Sequence, residues 1–324
     1  MHYGGVTQLP LPPSGDQHEI SFGDQRAVVV SVGGGLRTYD VGDRAVLDGY
    51  ALDRPADGAR AQTLVPWPNR VQDGRWRWEG ADLQLALTEP EQHNAIHGLV
   101  RWMPWHVVDQ FAAGVTLACT SYPQPGYPWP LRVSNEFRLG EDGLTVGTTI
   151  TNLGATRAPV AAGSHPYLTV GSPTIDDAVL HLPAEVWLPT GDQQIPIGRA
   201  DVAGSAYDFR TPRRIGAAQI DYTFTDLRRD DDGRFRLKLG TATGDHAVTF
   251  WLDPAYEFVE IFTGDALPDV GRRRQGLGVE PMTAPPNAFA TGESLAVLDP
   301  GQSWHGEWGI STGPRDARLD AQQA

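Results

Sequence analysis

The run Leu131-Arg132-Val133-Ser134-Asn135-Glu136-Phe137-Arg138-Leu139-Gly140-Glu141-Asp142-Gly143-Leu144-Thr145-Val146-Gly147-Thr148-Thr149-Ile150 decides the fold. Leu131, Val133, Phe137 and Leu139 recur every second residue or a multiple of it, which puts them on one face of a strand. Glu141-Asp142-Gly143 makes a turn, and Leu144, Val146, Thr148 and Ile150 alternate back. The pattern is an antiparallel hairpin with one face buried. The same grammar recurs on both sides. Residues 27–32 and 36–41 flank Gly33-Gly34-Gly35, Asp73-Gly74 and Glu79-Gly80 bracket 75–78, and Leu83, Leu85 and Leu87 alternate over 82–88. Further on, 220–224 alternates, Asp232-Gly233 turns into 234–239, and the apolar runs 247–252 and 258–263 are predicted to pair with each other. Helical periodicity is scarce, so the sequence predicts an all-β protein, a large antiparallel sandwich or barrel. No linker or short repeat divides it. The expected organisation is an irregular lead-in over 1–17, a single β domain over 18–312 and a polar, disordered tail over 313–324.

Composition narrows the function. The 324 residues carry 26 Lys and Arg against 40 Asp and Glu, a net charge of −14. Such an acidic chain is a poor match for nucleic acid or an anionic membrane. No apolar run is long enough to span a membrane, and Met1 to Gly15 hold no basic region followed by an apolar core, so no signal peptide is expected. Cys119 is the one cysteine, set in a strand pattern and expected to be a buried, inert thiol. A cytoplasmic protein follows as the expectation. The ten Trp are assigned mainly to core. Gly33-Gly34-Gly35 is no phosphate loop, because no Lys-Ser/Thr follows and the next segment is a strand.

Several polar side chains stand in stiff settings. In Gly276-Leu277-Gly278-Val279-Glu280-Pro281, a lone acid follows an apolar run and is fixed from behind by proline, which keeps Glu280 extended. A buried acid of this kind suits proton transfer near neutral pH. Taken alone, the stretch reads more simply as a structural carboxylate at a strand end. His165 in Ser164-His165-Pro166-Tyr167 is held extended by Pro166 in the same way, and alone it reads as structural. Val65-Pro66-Trp67-Pro68-Asn69-Arg70 is a rigid loop presenting Asn69 and Arg70; a fixed guanidinium fork stands against an ordinary exposed arginine. His93 and His97 have the spacing of a helical zinc pair, but no helix and no metalloprotease glutamate surround them, so no metal is expected. His97, beside Gly98, is instead reachable by a ligand.

Pro68-Asn69-Arg70, Ile96-His97-Gly98, Gly126-Tyr127-Pro128, Ser164-His165-Pro166-Tyr167, the Asp221 strand and Val279-Glu280-Pro281 are each short. Their order resembles that of the aldose 1-epimerases (galactose mutarotases), over about residues 20–310. The resemblance implies a single large antiparallel β-sandwich, the galactose mutarotase-like supersandwich, with an open cleft. It implies Glu280 as general base and His165 as general acid, with Arg70, His97, Asp221 and Asn69 binding the substrate. It also implies an isomerase that interconverts the α and β anomers of a hexose without a cofactor. Leu99 stands where many members carry a second glycine, and Met282-Thr283-Ala284-Pro285-Pro286-Asn287 follows the base in place of an amide-rich stretch. Both departures bear on which sugar is used.

Three other readings stand beside this one. Asp221 and Glu280 would suit a glycosidase pair, but the histidines then have no task. A non-catalytic sugar-binding protein would need no acid–base pair. An epimerase for a hexose 6-phosphate or sulfonated sugar would need an extra cation; Arg101 is the candidate, against the simpler reading of a surface arginine paired with a nearby acid. The expected partner is therefore a small sugar, with no nucleic acid and no membrane, and the sequence specifies no oligomeric state.

Overall fold

The computed structural model describes residues 11–312 and Leu319. Two large antiparallel sheets dominate, one of nine strands and one of eight. The decisive hairpin is present as Leu131–Gly140 and Gly143–Asn152, with Leu139 opposite Leu144. Leu131, Val133, Asn135, Phe137 and Leu139 are buried, while Arg132 and Arg138 are exposed. These two strands lie inside the nine-stranded sheet, and Ser303–Ser311 closes it between Gly143–Asn152 and Ala247–Leu252. Asn135 breaks the apolar face without cost. Its amide donates to Gly34 O at 2.9 Å and Thr63 Oγ1 at 2.6 Å, and its oxygen accepts from Thr148 Oγ1 at 2.9 Å.

The eight-stranded sheet carries the side chains of interest. Its central strands are Asp221–Leu227, Phe258–Phe262 and Leu277–Met282. Alternation sorts their residues. Phe224, Val259, Ile261, Leu277 and Val279 join the core shared with Val133 and Phe137 of the other sheet. Asp221, Thr223, Glu260, Phe262 and Glu280 therefore point to the opposite face. Both faces are covered, which is why Leu277–Met282 is buried along its whole length.

Some expectations are corrected. The runs 247–252 and 258–263 do not pair: Ala247–Leu252 belongs to the nine-stranded sheet and Phe258–Phe262 to the eight-stranded one, so the chain crosses between sheets at 253–257. The lead-in ends at Gln17, where the first strand begins, and its residues 1–10 lie outside the described residues. The tail over 313–324 lies outside them too, except Leu319, which is buried against Val179 and Ala247. Cys119 is buried, and burial pushes its thiol up to about 12. No helix among the described residues is long and apolar enough to cross a membrane.

Candidate active site

A cleft of about 660 Å³ opens on the face of the eight-stranded sheet that carries Glu280. Its size is that of a small-molecule site. Asn69, Arg70, His97, His165, Asp221 and Glu280 all line it. Residues separated by up to 211 positions in the chain (280 − 69) thus share one wall.

Pro166 explains how Glu280 and His165 meet. Gly163–Ser164 and Tyr167–Leu168 both pair with Leu277–Met282, at Met282 and at Gly278 and Leu277 respectively. Between them Pro166 has no N–H for the ladder, and the pairing is interrupted. His165 occupies this gap, facing Glu280. Its Nε2 lies 3.0 Å from Glu280 Oε1, with both side chains nearly fully buried. The imidazole stacks on Tyr167, with ring centroids 5.0 Å apart and planes 10° from parallel. Tyr167 is itself held: its hydroxyl donates to Gly58 O at 2.9 Å, and Arg60 lies over its ring at 4.4 Å. Arg60 is buried but paired with Asp48 at 2.9 Å and Asp57 at 3.2 Å.

Asn69 and His97 are fixed on each other. The strand Arg70–Gln72 pairs with Asn94–Ile96, which brings the preceding and following residues together. Asn69 O accepts from His97 N at 2.9 Å, and Asn69 N donates to His97 Nδ1 at 3.2 Å. Both residues have left-handed backbones, φ 53° and 62°, a conformation costly outside glycine. Since Nδ1 accepts, the neutral ring carries its proton on Nε2. Burial above all, with His165, Arg101 and Arg70 adding to it, holds the His97 imidazole well below its ordinary range. His97 is thus a neutral donor, set edge-on to His165 at 5.4 Å. Gly98 serves a different purpose from the one expected. At φ +67° a Cβ would stand 2.2 Å from Val65 O, so glycine is required by the packing of the loop rather than by a ligand.

Arg70 is not an exposed, partnerless arginine. Its Nε and Nη2 each donate at 2.9 Å to the two oxygens of Glu89, a bidentate pair. Nη1 has no protein partner among the described residues. Asp221 lies within electrostatic reach of Arg70; burial, and then the Glu280 charge, raise its carboxyl against the pull of Arg70. Arg101 is likewise not a surface arginine with an acid partner. It lines the cleft, makes no ion pair among the described residues, and stands 5.5 Å from the ring of Trp102, which is 54% exposed and lines the same cleft.

Four contributors were not foreseen: Glu89, Glu260, Tyr167 and Trp102. Glu260 is 3% exposed and sits directly opposite Glu280 on the neighbouring strand. A single acid inside the apolar run 258–262 is the signal that would have found it. It is the same signal that marks Glu280.

His97, His165 and Glu280 bring three donor atoms within 4.8 Å of one another, a grouping of the kind that binds metals. The tautomer argues against it. A metal at His97 Nε2 would drive the ring proton onto Nδ1, against the Asn69 N–H. His165 Nδ1 is buried with no acceptor for its proton, so the outer partner that orients a ligating imidazole is missing.

The family model described as Aldose 1-epimerase matches residues 16–311. This chain belongs to the aldose 1-epimerase family. It is 31% identical over 291 residues to an uncharacterized protein of Escherichia coli K12, YihR, covering 89% of this chain and 91% of that one. It is 28% identical over 219 residues to human galactose mutarotase, covering 61% of each. Among solved structures, a putative aldose 1-epimerase from Escherichia coli K12 superposes with a TM-score of 0.80 at 22% identity, covering 92% of this chain and 99% of that one. The galactose 1-epimerase of Lactobacillus acidophilus superposes at 0.73 with 18% identity, covering 90% and 92%. The fold is therefore that of the galactose mutarotases. Membership of the epimerase family makes this an isomerase-type protein, of a family that binds sugar substrates.

Proposed function

We propose that this family member interconverts the α and β anomers of a hexose, with Glu280 as general base and His165 as general acid. The observation that carries the reading is the 3.0 Å contact between Glu280 Oε1 and His165 Nε2 on the wall of a sugar-sized cleft. Mutarotation needs a proton removed from the anomeric hydroxyl while another is given to the ring oxygen. Both oxygens sit on one carbon, so the acid and base must be neighbours. Glu280 takes the hydroxyl proton, His165 protonates the ring oxygen, and the bond from C1 to that oxygen breaks. The open-chain aldehyde turns about C1–C2, and the two groups act in reverse to close the ring on the other face. Each such group contributes about 10²–10⁴-fold. No electron changes hands at any step. The sugar's C1 end takes the place of the direct contact between His165 and Glu280. The Nε2–H of His97 and the free Nη1 of Arg70 then offer donors to sugar oxygens, and Asp221 and Asn69 offer acceptors.

Arg101 favours a narrower second reading, in which the hexose carries an anion at its far end. Arg101 lines the cleft with no ion pair among the described residues, whereas Arg70 is neutralised by Glu89. A phosphate or sulfonate on C6 would meet it. The test is a panel of fresh α-anomers: glucose, galactose, glucose 6-phosphate and a sulfonated hexose, followed by polarimetry or NMR exchange. The reading expects acceleration with at least one. Sugar binding seen by calorimetry with no acceleration of any would favour a binding protein, and release from an aryl glycoside would favour a hydrolase. Preference for an anionic sugar, lost in Arg101→Ala, would select the second reading.

A further inference from the structure

Proton transfer as described leaves one buried acid unused. Glu260 stands directly opposite Glu280 across one strand pair and directly opposite Thr223 across the other. Side chains so placed share a face, with Cβ atoms roughly 4.5–5.5 Å apart. Glu260 is nearly fully buried and does not line the cleft; it lies behind the groups that do. It has no ion-pair partner among the described residues. The charged groups facing it are Asp221, Glu280 and Arg70, and Arg70 is committed to Glu89. Burial first, then the Asp221 and Glu280 charges, push the Glu260 carboxyl well above its ordinary range, against weaker opposition from Thr223 and Arg70. A buried carboxylic acid needs an acceptor for its proton. Its Oε2 already receives the Thr223 hydroxyl. Across the strand pair, Glu280 Oε1 is bonded to His165, while Glu280 Oε2 is buried with no partner. A buried acid with a proton to give and an acceptor without a donor thus occupy facing positions.

We propose that Glu260 is a positioning residue for the base: as a neutral acid it donates its proton to Glu280 Oε2, fixing the carboxylate plane with Oε1 turned to His165 and the sugar. The proposal rests on the base role given to Glu280 above. The proton stays on Glu260 throughout turnover. Without this bond Glu280 would be free to rotate about its last torsion, because its other oxygen is held only by the His165 contact that the sugar must displace.

The test uses the full chain. Glu260→Gln offers an amide N–H to Glu280 and a carbonyl to Thr223, so kcat stays within about threefold of wild type. Glu260→Leu fills the space without a donor and lowers kcat by about 10–100-fold, the usual effect of losing an outer-layer partner, with KM nearly unchanged. Infrared spectra at neutral pH show a protonated-carboxyl band in wild type that is absent in Glu260→Gln. The acid limb of the kcat/KM profile coincides for these two proteins, since the substitution removes no charge and leaves Asp221, Glu280 and Arg70 in place. A missing band, a tenfold or larger loss in Glu260→Gln, or full kcat in Glu260→Leu overturns the proposal. Should Glu260→Leu fail to fold, the amide variant and the band still decide it. A wild-type protein inert on every sugar overturns the proposed function instead, while the band reads the Glu260 proton independently of turnover.

Discussion

Glu280→Gln preserves the shape of the proposed base and removes its charge. If Glu280 takes the anomeric proton, the catalysed rate falls by about 10²–10⁴-fold, or roughly 3–5 kcal/mol in the barrier. The 3.0 Å contact with His165 persists as a bond to the amide oxygen, losing only the extra strength of an ionised acceptor, about 1–2 kcal/mol. Against this, the buried Glu280 charge that raises the Asp221 and Glu260 carboxyls disappears, relieving both. On the Oε2 side the amide N–H₂ faces Glu260 and donates to its carbonyl oxygen, so one bond is exchanged for another rather than left unmade. The contributions offset to within roughly 1 kcal/mol, and in a chain of this size that moves Tm by no more than a few degrees. Polarimetry of a freshly dissolved α-anomer, corrected for spontaneous mutarotation, measures the rate, and a thermal melt measures the rest. A variant keeping more than a tenth of the wild-type rate would refute the assignment. So would a melt lowered by ten degrees or more, because the loss of rate would then report a damaged fold.

Three further outcomes are expected. His165→Asn loses about as much rate as Glu280→Gln, and the double variant is little worse than either, because acid and base act as a unit; additive losses in polarimetry would argue that they serve separate steps. Glu89→Ala releases both bonds to Arg70 in a pair whose side chains are 15% and 21% exposed; a loss of about 1–3 kcal/mol by chemical denaturation is expected, together with a raised KM and a less affected kcat. His97 is held neutral in the folded chain, so the unfolded chain binds the extra proton as pH falls below its ordinary value of 6.5. Stability therefore falls with pH below that point, by up to about 1.4 kcal/mol per unit for this one proton. His97→Asn should flatten that slope in urea melts taken across acid pH; an unchanged slope would place the proton uptake elsewhere.

How much of this was legible in the sequence depended on the range of the signal. The hairpin at 131–150 was readable because alternation and turn chemistry are local. The pairing of 247–252 with 258–263 was misread for the same reason: two apolar strands five residues apart look like a hairpin, and nothing in their pattern says that they belong to different sheets. Glu280 and His165 were marked by the prolines that follow them; the structure shows the pairing with Leu277–Met282 broken at Pro166, where the two side chains meet, while Pro281 stays within its strand opposite Val259. Glu89 carried no such mark. Its importance comes mainly from Arg70, 19 residues away, and a two-pronged ion pair across a loop leaves no trace in spacing. Glu260 was hidden in a run read as apolar, although an acid inside a buried strand is the very anomaly that drew attention to Glu280.

That anomaly bears on which of three acids is the base. Glu260, Asp221 and Glu280 crowd one face of a sheet where leucine would be more stable, since each buried carboxyl must be paired or protonated. A fold keeps such a cluster only for what it does, and the three positions differ in what they can reach. Glu260 is screened from the cleft and has no cation of its own, so it can pass no proton to a sugar. Asp221 lines the cleft but lies under the influence of Arg70, which suits a group that accepts hydroxyl hydrogens. Glu280 alone both lines the cleft and touches an imidazole, so only there can removal of one proton be coupled to delivery of another at the same carbon. Neutralising the three in turn should therefore give three different signatures: loss of turnover at Glu280, weakened sugar binding at Asp221, and near-silence at Glu260 when the amide replaces the acid.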